Sequence, residues 1–392
     1  MENLMRTPLR RLGIAALATL AVVSGAACSS SESDTAAVDL PAAPAEQQLS
    51  GICPGTVVVQ LQWEPETDSG PIFGLLGPGY RVDSDHNKVT GPLVTDGKDT
   101  GVKLEIRAGG PAIGFQTVPS QMYVDQSITL GLAHSEHAIA AAGAQPIVAV
   151  TTLLRNSPQL LMWDPKTHPD WHGIADIGKS GAPIVVSQGQ LYPDWLVSRG
   201  LVDAKQIDNS YDNAPSRFVA GPSFAQQGFL NSEPYVYEHE VRAWGKPVAY
   251  QLLRDVGYEG YARTVNVRAD RLAELRPCLQ RLVPMIQRAT AQFRADPGHI
   301  DDTVVDIVAK SANFSPYSAE LAAYGSKALI DGGLIGNDTD GVLGSFDEAR
   351  VQRVIDEFAP ILRRGGAAVP AGLTARDLIT KEFLNPAISV AG

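Results

Sequence analysis

Positive charge is what this sequence is short of. Its 392 residues hold 32 lysines and arginines against 43 aspartates and glutamates, a net charge of −11 with histidine neutral. Such a composition does not build a surface that neutralises phosphates, and it excludes nucleic-acid binding as a role. Apolar runs are scarce too: beyond residue 27 no stretch of about 20 apolar residues occurs, so the body of the chain is not expected to span a membrane. Cysteine is rarer still, three in all. No internal repeat is present, nor a nucleophile elbow, nor the helical motif of two histidines and a glutamate found in zinc hydrolases. His134-Ser135-Glu136-His137 departs from that motif, and Pro169 breaks any regular helical face between His168 and His172. No metal, no cofactor and no catalytic residue are therefore expected.

What is present starts at the N-terminus. Arg6, Arg10 and Arg11 precede an apolar run over residues 12–23, and Ser24-Gly25-Ala26-Ala27 then leads to Cys28. This is the layout of an export signal, residues 1–27, ending at a lipid-bearing cysteine, where an acyl chain contributes about 0.8 kcal/mol per buried CH₂ to membrane attachment. Gly25 stands where such signals usually carry leucine, and Gly25-x-Ala27 also suits an ordinary signal peptidase, so simple secretion is the alternative. Cleavage removes three arginines and one glutamate and takes the net charge to −13. Residues 28–50, rich in Ser, Ala, Pro and acidic side chains, read as a flexible tether holding the protein at the outer face of the cytoplasmic membrane. About 340 residues follow, enough for two lobes. Cys53 and Cys278 remain, and in an exported protein such a pair is expected to form a disulfide; two separately buried thiols are the other reading.

Residues 57–62 form a β-branched run between Pro54-Gly55 and Pro65 and read as a buried strand. Residues 103–107, 128–132, 146–152 and 184–187 read as further strands, with helices over 134–142 and 192–199, the alternation of an α/β sheet. The C-terminal half is more helical. Leu272, Leu275, Leu279, Leu282, Ile286 and Phe293 share one face of a helix in which Pro284 predicts a kink, and shorter helices follow over 304–309, 319–329 and 348–362. Residues 83–101, rich in Asp, Gly and Thr, read as a surface excursion between the first two strands.

A series of stretches in fixed order gives the chain a resemblance. They are Leu61-Gln62-Trp63-Glu64-Pro65, Gly109-Gly110-Pro111, Ala142-Gly143-Ala144-Gln145-Pro146-Ile147-Val148-Ala149-Val150, Gly228-Phe229-Leu230-Asn231-Ser232-Glu233-Pro234-Tyr235, Leu373-Thr374-Ala375-Arg376-Asp377 and Glu382-Phe383-Leu384. Over about residues 55 to 385 the chain resembles the nitrate/sulfonate/thiamine-precursor family of ABC-importer substrate-binding proteins, which includes thiamine-pyrimidine synthases. The resemblance implies an α/β, two-lobed periplasmic-binding-protein fold of type II with a ligand cleft between the lobes. Lobe one takes residues 51–153 and 240–392, and lobe two takes 154–239. It also implies a monomeric lipoprotein that hands a small-molecule ligand to an ABC permease and ATPase, closing about two chain crossings as it binds. A synthase-like enzyme, which requires a cofactor-bearing lysine and a sacrificial histidine, and a sensing module for a membrane receptor are the alternatives; export disfavours the enzyme.

The candidate contacts lie at strand and helix ends, where ligands of open α/β sheets bind. Trp63 reads as a stacking surface or as an aromatic packed over the sheet edge. Gly109, Gly110 and Pro111 read as N–H donors on a close-approaching backbone or as a plain turn. Ser187, Gln188 and Gly189 with Tyr192 sit at a strand-to-helix turn whose free N–H groups suit an acceptor on the ligand. Tyr211 and Asn213 end a further strand. Glu233 and Tyr235 lie near the return crossing, where the carboxylate either accepts from a ligand amine or pins the hinge. The expected ligand is a small nutrient, planar or heteroaromatic, with a sulfonate-like anion as the alternative.

Overall fold

The computed structural model describes residues 39–391, so the export signal and Cys28 lie outside the described residues. The strands in chain order are β1 (Thr56–Gln60), β2 (Arg81–Asp83), β3 (Lys88–Thr95), β4 (Lys98–Arg107), β5 (Leu130–Ala133), β6 (Ile147–Leu154), β7 (Gln159–Trp163), β8 (Ile184–Val185), β9 (Ile207–Asp208), β10 (Ala225–Phe229), β11 (Ala249–Leu252) and β12 (Ala262–Arg268). They form two sheets, one in the order β2-β3-β4-β1-β5-β12-β6 and one in the order β11-β7-β10-β8-β9. In the first sheet β4, β1 and β5 run parallel. Val57, Val58 and Val59 are buried on both faces of β1, as the continuous β-branched run anticipates for a central parallel strand.

The chain passes between the sheets twice, over residues 155–158 and 253–261. The second passage falls later than the return expected near residue 240, because β11 first pairs antiparallel with β7 and so belongs to the second sheet. Backbone hydrogen bonds brace the first passage: Arg155 donates to Leu334 O at 2.8 Å and Leu230 to Pro158 O at 2.9 Å. Side chains also meet across the sheets. The Trp195 indole N–H on the helix Tyr192–Ser198 donates to Glu357 Oε2 at 2.6 Å on the helix Glu348–Arg364.

Residues 83–101 are no surface excursion. They supply β3 and most of β4, an antiparallel hairpin closed by Asp96-Gly97, both in the left-handed region at φ 50° and 72°. Asp-Gly at the two central positions matches the right-handed twist of the flanking strands. The tether is likewise shorter than residues 28–50. Ala42 bridges to Asp99, Leu49 is fully buried, and the Arg281 guanidinium donates to Ala45 O at 2.9 Å and Gln48 O at 2.5 Å. A polar segment is held here because it completes the hydrogen bonds of the hairpin edge.

The helix Leu272–Ala295 runs continuously through Pro277 and Pro284 and buries Leu275, Leu279, Leu282, Ile286 and Phe293 in one core with Val57, Val59, Leu104 and Ile106. No helix of the described residues is long and apolar enough to cross a membrane. Cys53, just ahead of β1, is joined by a disulfide to Cys278 on that helix, with Cα atoms 4.7 Å apart and 225 residues between them in sequence. In the chain-entropy account a loop of this size contributes about 5 kcal/mol. Scanning calorimetry of Cys278→Ser is expected to show a lower melting temperature than the oxidised wild type, and reductant should lower the wild type alone; an unchanged Tm in both would deny the bridge a stabilising role.

A candidate ligand site where strand ends converge

The loop after β1 and the turn after β10 are brought together by the fold. Following β1, Glu64, Glu66 and Asp68 project from five consecutive residues. Asp68 is paired: the Arg263 guanidinium donates to its Oδ2 through Nε at 2.8 Å and through Nη2 as well, and both residues are buried. Arg263 reaches it from an irregular place. Within β12 its neighbours Ala262 and Thr264 pair with Leu154 and Thr152, while Arg263 itself holds φ +52°. A non-glycine residue in that region costs on the order of 1–3 kcal/mol, and here the distortion accompanies a side chain turned to a carboxylate. Glu64 is held separately, accepting from Ser315 N–H at 3.0 Å.

Glu66 has no such partner among the described residues. Burial pushes its carboxyl well above the usual range, the charges of Asp68, Glu233 and Glu64 push the same way, and Arg263 only partly opposes them. Glu233 comes from the second sheet, four residues after β10 ends. Its Oε2 accepts from Phe229 N–H at 2.7 Å, yet burial still raises its pKa to about 7. Tyrosines surround the two acids. The Tyr192 hydroxyl is buried without a hydrogen-bond partner, and burial together with the Glu233 charge pushes its pKa up. Burial and the same carboxylate act on Tyr211. Tyr317 hydrogen bonds Thr67 through its hydroxyl at 3.0 Å, beside Glu66. On the far side of Arg263, burial, His137 and the guanidinium hold His134 well below the ordinary histidine value, so it stays neutral.

The structure thus gathers Glu233, Tyr192 and Tyr211 from the residues singled out in the sequence. Others have different employment. The N–H groups of Gly109 and Gly110 donate to Trp63 O at 2.8 Å and Gln62 O at 3.0 Å, so they are not free for a ligand. Any side chain at Gly109 meets the backbone oxygen of Leu61 at 2.3 Å, which shows the glycine serving close approach of two loops. Pro111 is exposed, and Trp63, half-buried above Gly110, lies 6.0 Å from the exposed ring of Phe115. Ser187 is occupied as well: its N–H donates to Gln227 Oε1 at 2.7 Å and its hydroxyl accepts from Gln227 Nε2 at 3.0 Å. Gln188, Gly189 and Asn213 are exposed. Tyr235 packs between His239 and Tyr324, ring centroids 4.6 and 5.2 Å away.

Glu66, Asp68, Arg263, Tyr317 and Asn231 escaped the sequence reading. The acidic triplet directly after a parallel strand was a usable signal; an arginine inside a buried strand was another. Asn231, fully buried with both amide ends unpartnered, carries none in the sequence. Among the described residues no group of three or more His, Cys, Asp or Glu side chains is placed to hold a metal ion.

The same architecture is found in solved structures. The aliphatic sulphonate binding protein SsuA of Escherichia coli superimposes with a TM-score of 0.54 at 14% identity, covering 84% of this chain and 92% of that one. The alkanesulfonate-binding protein SsuA of Xanthomonas axonopodis pv. citri, bound to MOPS, gives 0.51 at 12% identity over 83% and 98%. The nitrate-binding protein NrtA of Synechocystis PCC 6803 gives 0.50 at 11% over 84% and 87%. The chain has the two-lobed fold of periplasmic binding proteins. No protein-family model matches the sequence, and no curated protein is similar enough to count as a relative. In this two-lobed fold Glu66 follows the carboxyl end of β1 and Glu233 that of β10, one acid from each sheet, while Tyr192 and Tyr211 follow β8 and β9.

Two measurements probe the charges. Because the folded pKa of Glu233, about 7, exceeds the ordinary 4.5, the native state binds its proton more tightly than the unfolded state does. The stability this contributes is complete below about pH 4.5 and is lost as pH rises through 7. Chemical denaturation from pH 5 to 8 should therefore show a steeper decline for wild type than for Glu233→Gln, by about 1–2 kcal/mol given the partial exposure of the side chain; parallel curves would remove the shift. Arg263→Leu, which strands Asp68 as a buried unpaired charge, is expected to cost about 3–5 kcal/mol, and adding Asp68→Asn should recover part of it. Equal losses in the single and double variants would place the cost in packing instead.

Proposed function

We propose that this protein is an exported solute-binding protein, which captures a small nutrient between its lobes and presents it to an ABC importer at the outer face of the cytoplasmic membrane. The reading is carried by one observation: Glu66 from one lobe, and from the other Glu233, which has no opposite charge beside it, with the unpartnered Tyr192 hydroxyl, lie together beyond strand ends of a two-lobed fold. Buried polar groups without partners lose free energy that a ligand restores by hydrogen bonding. The tyrosine rings favour a planar solute, edge-read by Glu233 and stacked against Tyr211, with the half-exposed face of Trp63 as a further platform. Anchoring through a lipid on Cys28 belongs to the same proposal, since a tethered binding protein stays near its permease. Binding without turnover is the expected chemistry; these groups exchange hydrogen bonds with a ligand, and none is arranged as a nucleophile with its base.

Native mass spectrometry of freshly purified protein should reveal a co-purifying small molecule, and calorimetry with that molecule should give saturable binding with no product. Tyr192→Phe removes the unpartnered hydroxyl, so the ligand-free protein should be as stable as wild type or more so, while affinity falls about three- to tenfold. Unchanged affinity would take Tyr192 out of the site. Conversion of the ligand to a product would replace the binding reading with an enzymatic one.

A further inference from the structure

We propose, building on the solute-binding reading, that the ligand is a small organic cation, a protonated amine or amidine, whose positive group is held between Glu66 and Glu233. Three arrangements carry this. First, the local charges do not balance. Four carboxylates, Glu64, Glu66, Asp68 and Glu233, share one guanidinium, and Arg263 is committed to Asp68 through two nitrogens. Glu64 has Ser315 N–H and Glu233 has Phe229 N–H, but neither contact brings a positive charge. His134, on which the Arg263 charge acts, does not supply it, because it is buried and neutral.

Second, the two free acids belong to different lobes yet meet in one place. Gly325, on the helix Ala319–Asp331, has room for no side chain, because a Cβ there lies 2.7 Å from Thr67 Oγ1, 2.8 Å from Asn231 O and 3.4 Å from the Tyr317 hydroxyl. Thr67 follows Glu66, and Asn231 precedes Glu233 by two residues. The shared neighbour fixes the first-lobe loop and the second-lobe turn against each other, and the Glu66 carboxyl feels the charge of Glu233.

Third, hydrogen-bonding capacity waits beside the acids. Tyr192 is 2% exposed with its hydroxyl unpartnered and within electrostatic reach of Glu233, and Asn231 is 0% exposed with both Oδ1 and Nδ2 unpartnered. Acceptors from two carboxylates, a tyrosine oxygen and an amide oxygen suit an N–H-rich cation, and tyrosine faces add cation–π attraction. Arg263, the cation that acts on Glu66, is already committed to Asp68, so it is not available to an anionic ligand. With no cation present a proton takes its place, which is why burial leaves Glu233 titrating near neutrality.

The test compares a matched pair of probes, benzylamine and benzenesulfonate, by thermal shift and calorimetry at pH 8 on wild type, Glu66→Gln and Glu233→Gln, with manganese chloride as a third probe. Both variants are expected to raise the melting temperature of the ligand-free protein by about 1–2 °C, since each relieves an unpaired acid. Benzylamine, and not the sulfonate, should stabilise wild type, and its affinity should fall about thirtyfold or more in either variant. The proposal is overturned if the sulfonate binds more tightly, if manganese alone reproduces the stabilisation, if the amine does not bind, or if both variants melt below wild type. Sulfonate binding to wild type that is unchanged in the variants would sink the charge class and leave the solute-binding reading standing. No bound species with either probe and none in native mass spectrometry would remove both.

Discussion

The buried pair of Asp68 and Arg263 sets the terms for everything around it. Arg263 sits inside β12 with its backbone in the left-handed region, and that distortion delivers the guanidinium to Asp68 beyond the end of β1. A buried pair of this kind holds by geometry and by mutual neutralisation, and either half alone is a heavy penalty. Its consequence is local poverty in positive charge. With Arg263 committed, burial raises the pKa of both Glu66 and Glu233, and the charge of Glu233 adds to the rise at Glu66. The disulfide and the long helix behind the first sheet hold the frame in which this arrangement persists.

Two passages of chain join the lobes, and contacts on either side of them differ in kind. Trp195 hydrogen bonds Glu357 and packs edge-on against Tyr258, 5.4 Å between centroids, a well-satisfied junction. By contrast, the Tyr192 hydroxyl and the Asn231 amide leave polar capacity unspent. Unsatisfied buried polar groups cost stability, so the two regions differ in how far their polar atoms are satisfied. The fold is shared with the sulfonate- and nitrate-binding structures at 11–14% identity, and a shared fold leaves the side chains at strand ends free to differ.

Much of the frame was legible in the residues. The valine run of β1, the apolar face from Leu275 to Phe293 and the alternation of strands with helices specify an α/β sheet through local pattern alone, since burial on both faces demands continuous β-branched side chains. The cysteine pair followed from number and from the export that the N-terminal sequence leads one to expect. The hairpin of β3 and β4 was missed although Asp96-Gly97 announces it, because the Thr, Gly and charged residues over 88–103 lack the apolar density by which strands are recognised. Residues 41–50 read as tether for a similar reason: their order comes from backbone hydrogen bonds to a hairpin and from Arg281, which composition does not record.

At the site the division is sharper. Sequence by itself determined that Glu233, Tyr192 and Tyr211 stand at strand and helix ends, because those ends follow from local pattern. It also suggested that Gly109, Gly110 and Ser187 offered free N–H groups, and there local pattern was insufficient: whether a turn's N–H is free depends on what packs against it, and Gln62, Trp63 and Gln227 take these. That Glu66 faces Glu233 across more than 160 residues of sequence, and that Arg263 is spent on Asp68, was decided by tertiary structure alone. Charge interactions act through space and depend on burial, and neither distance nor burial between remote segments is written in the order of residues.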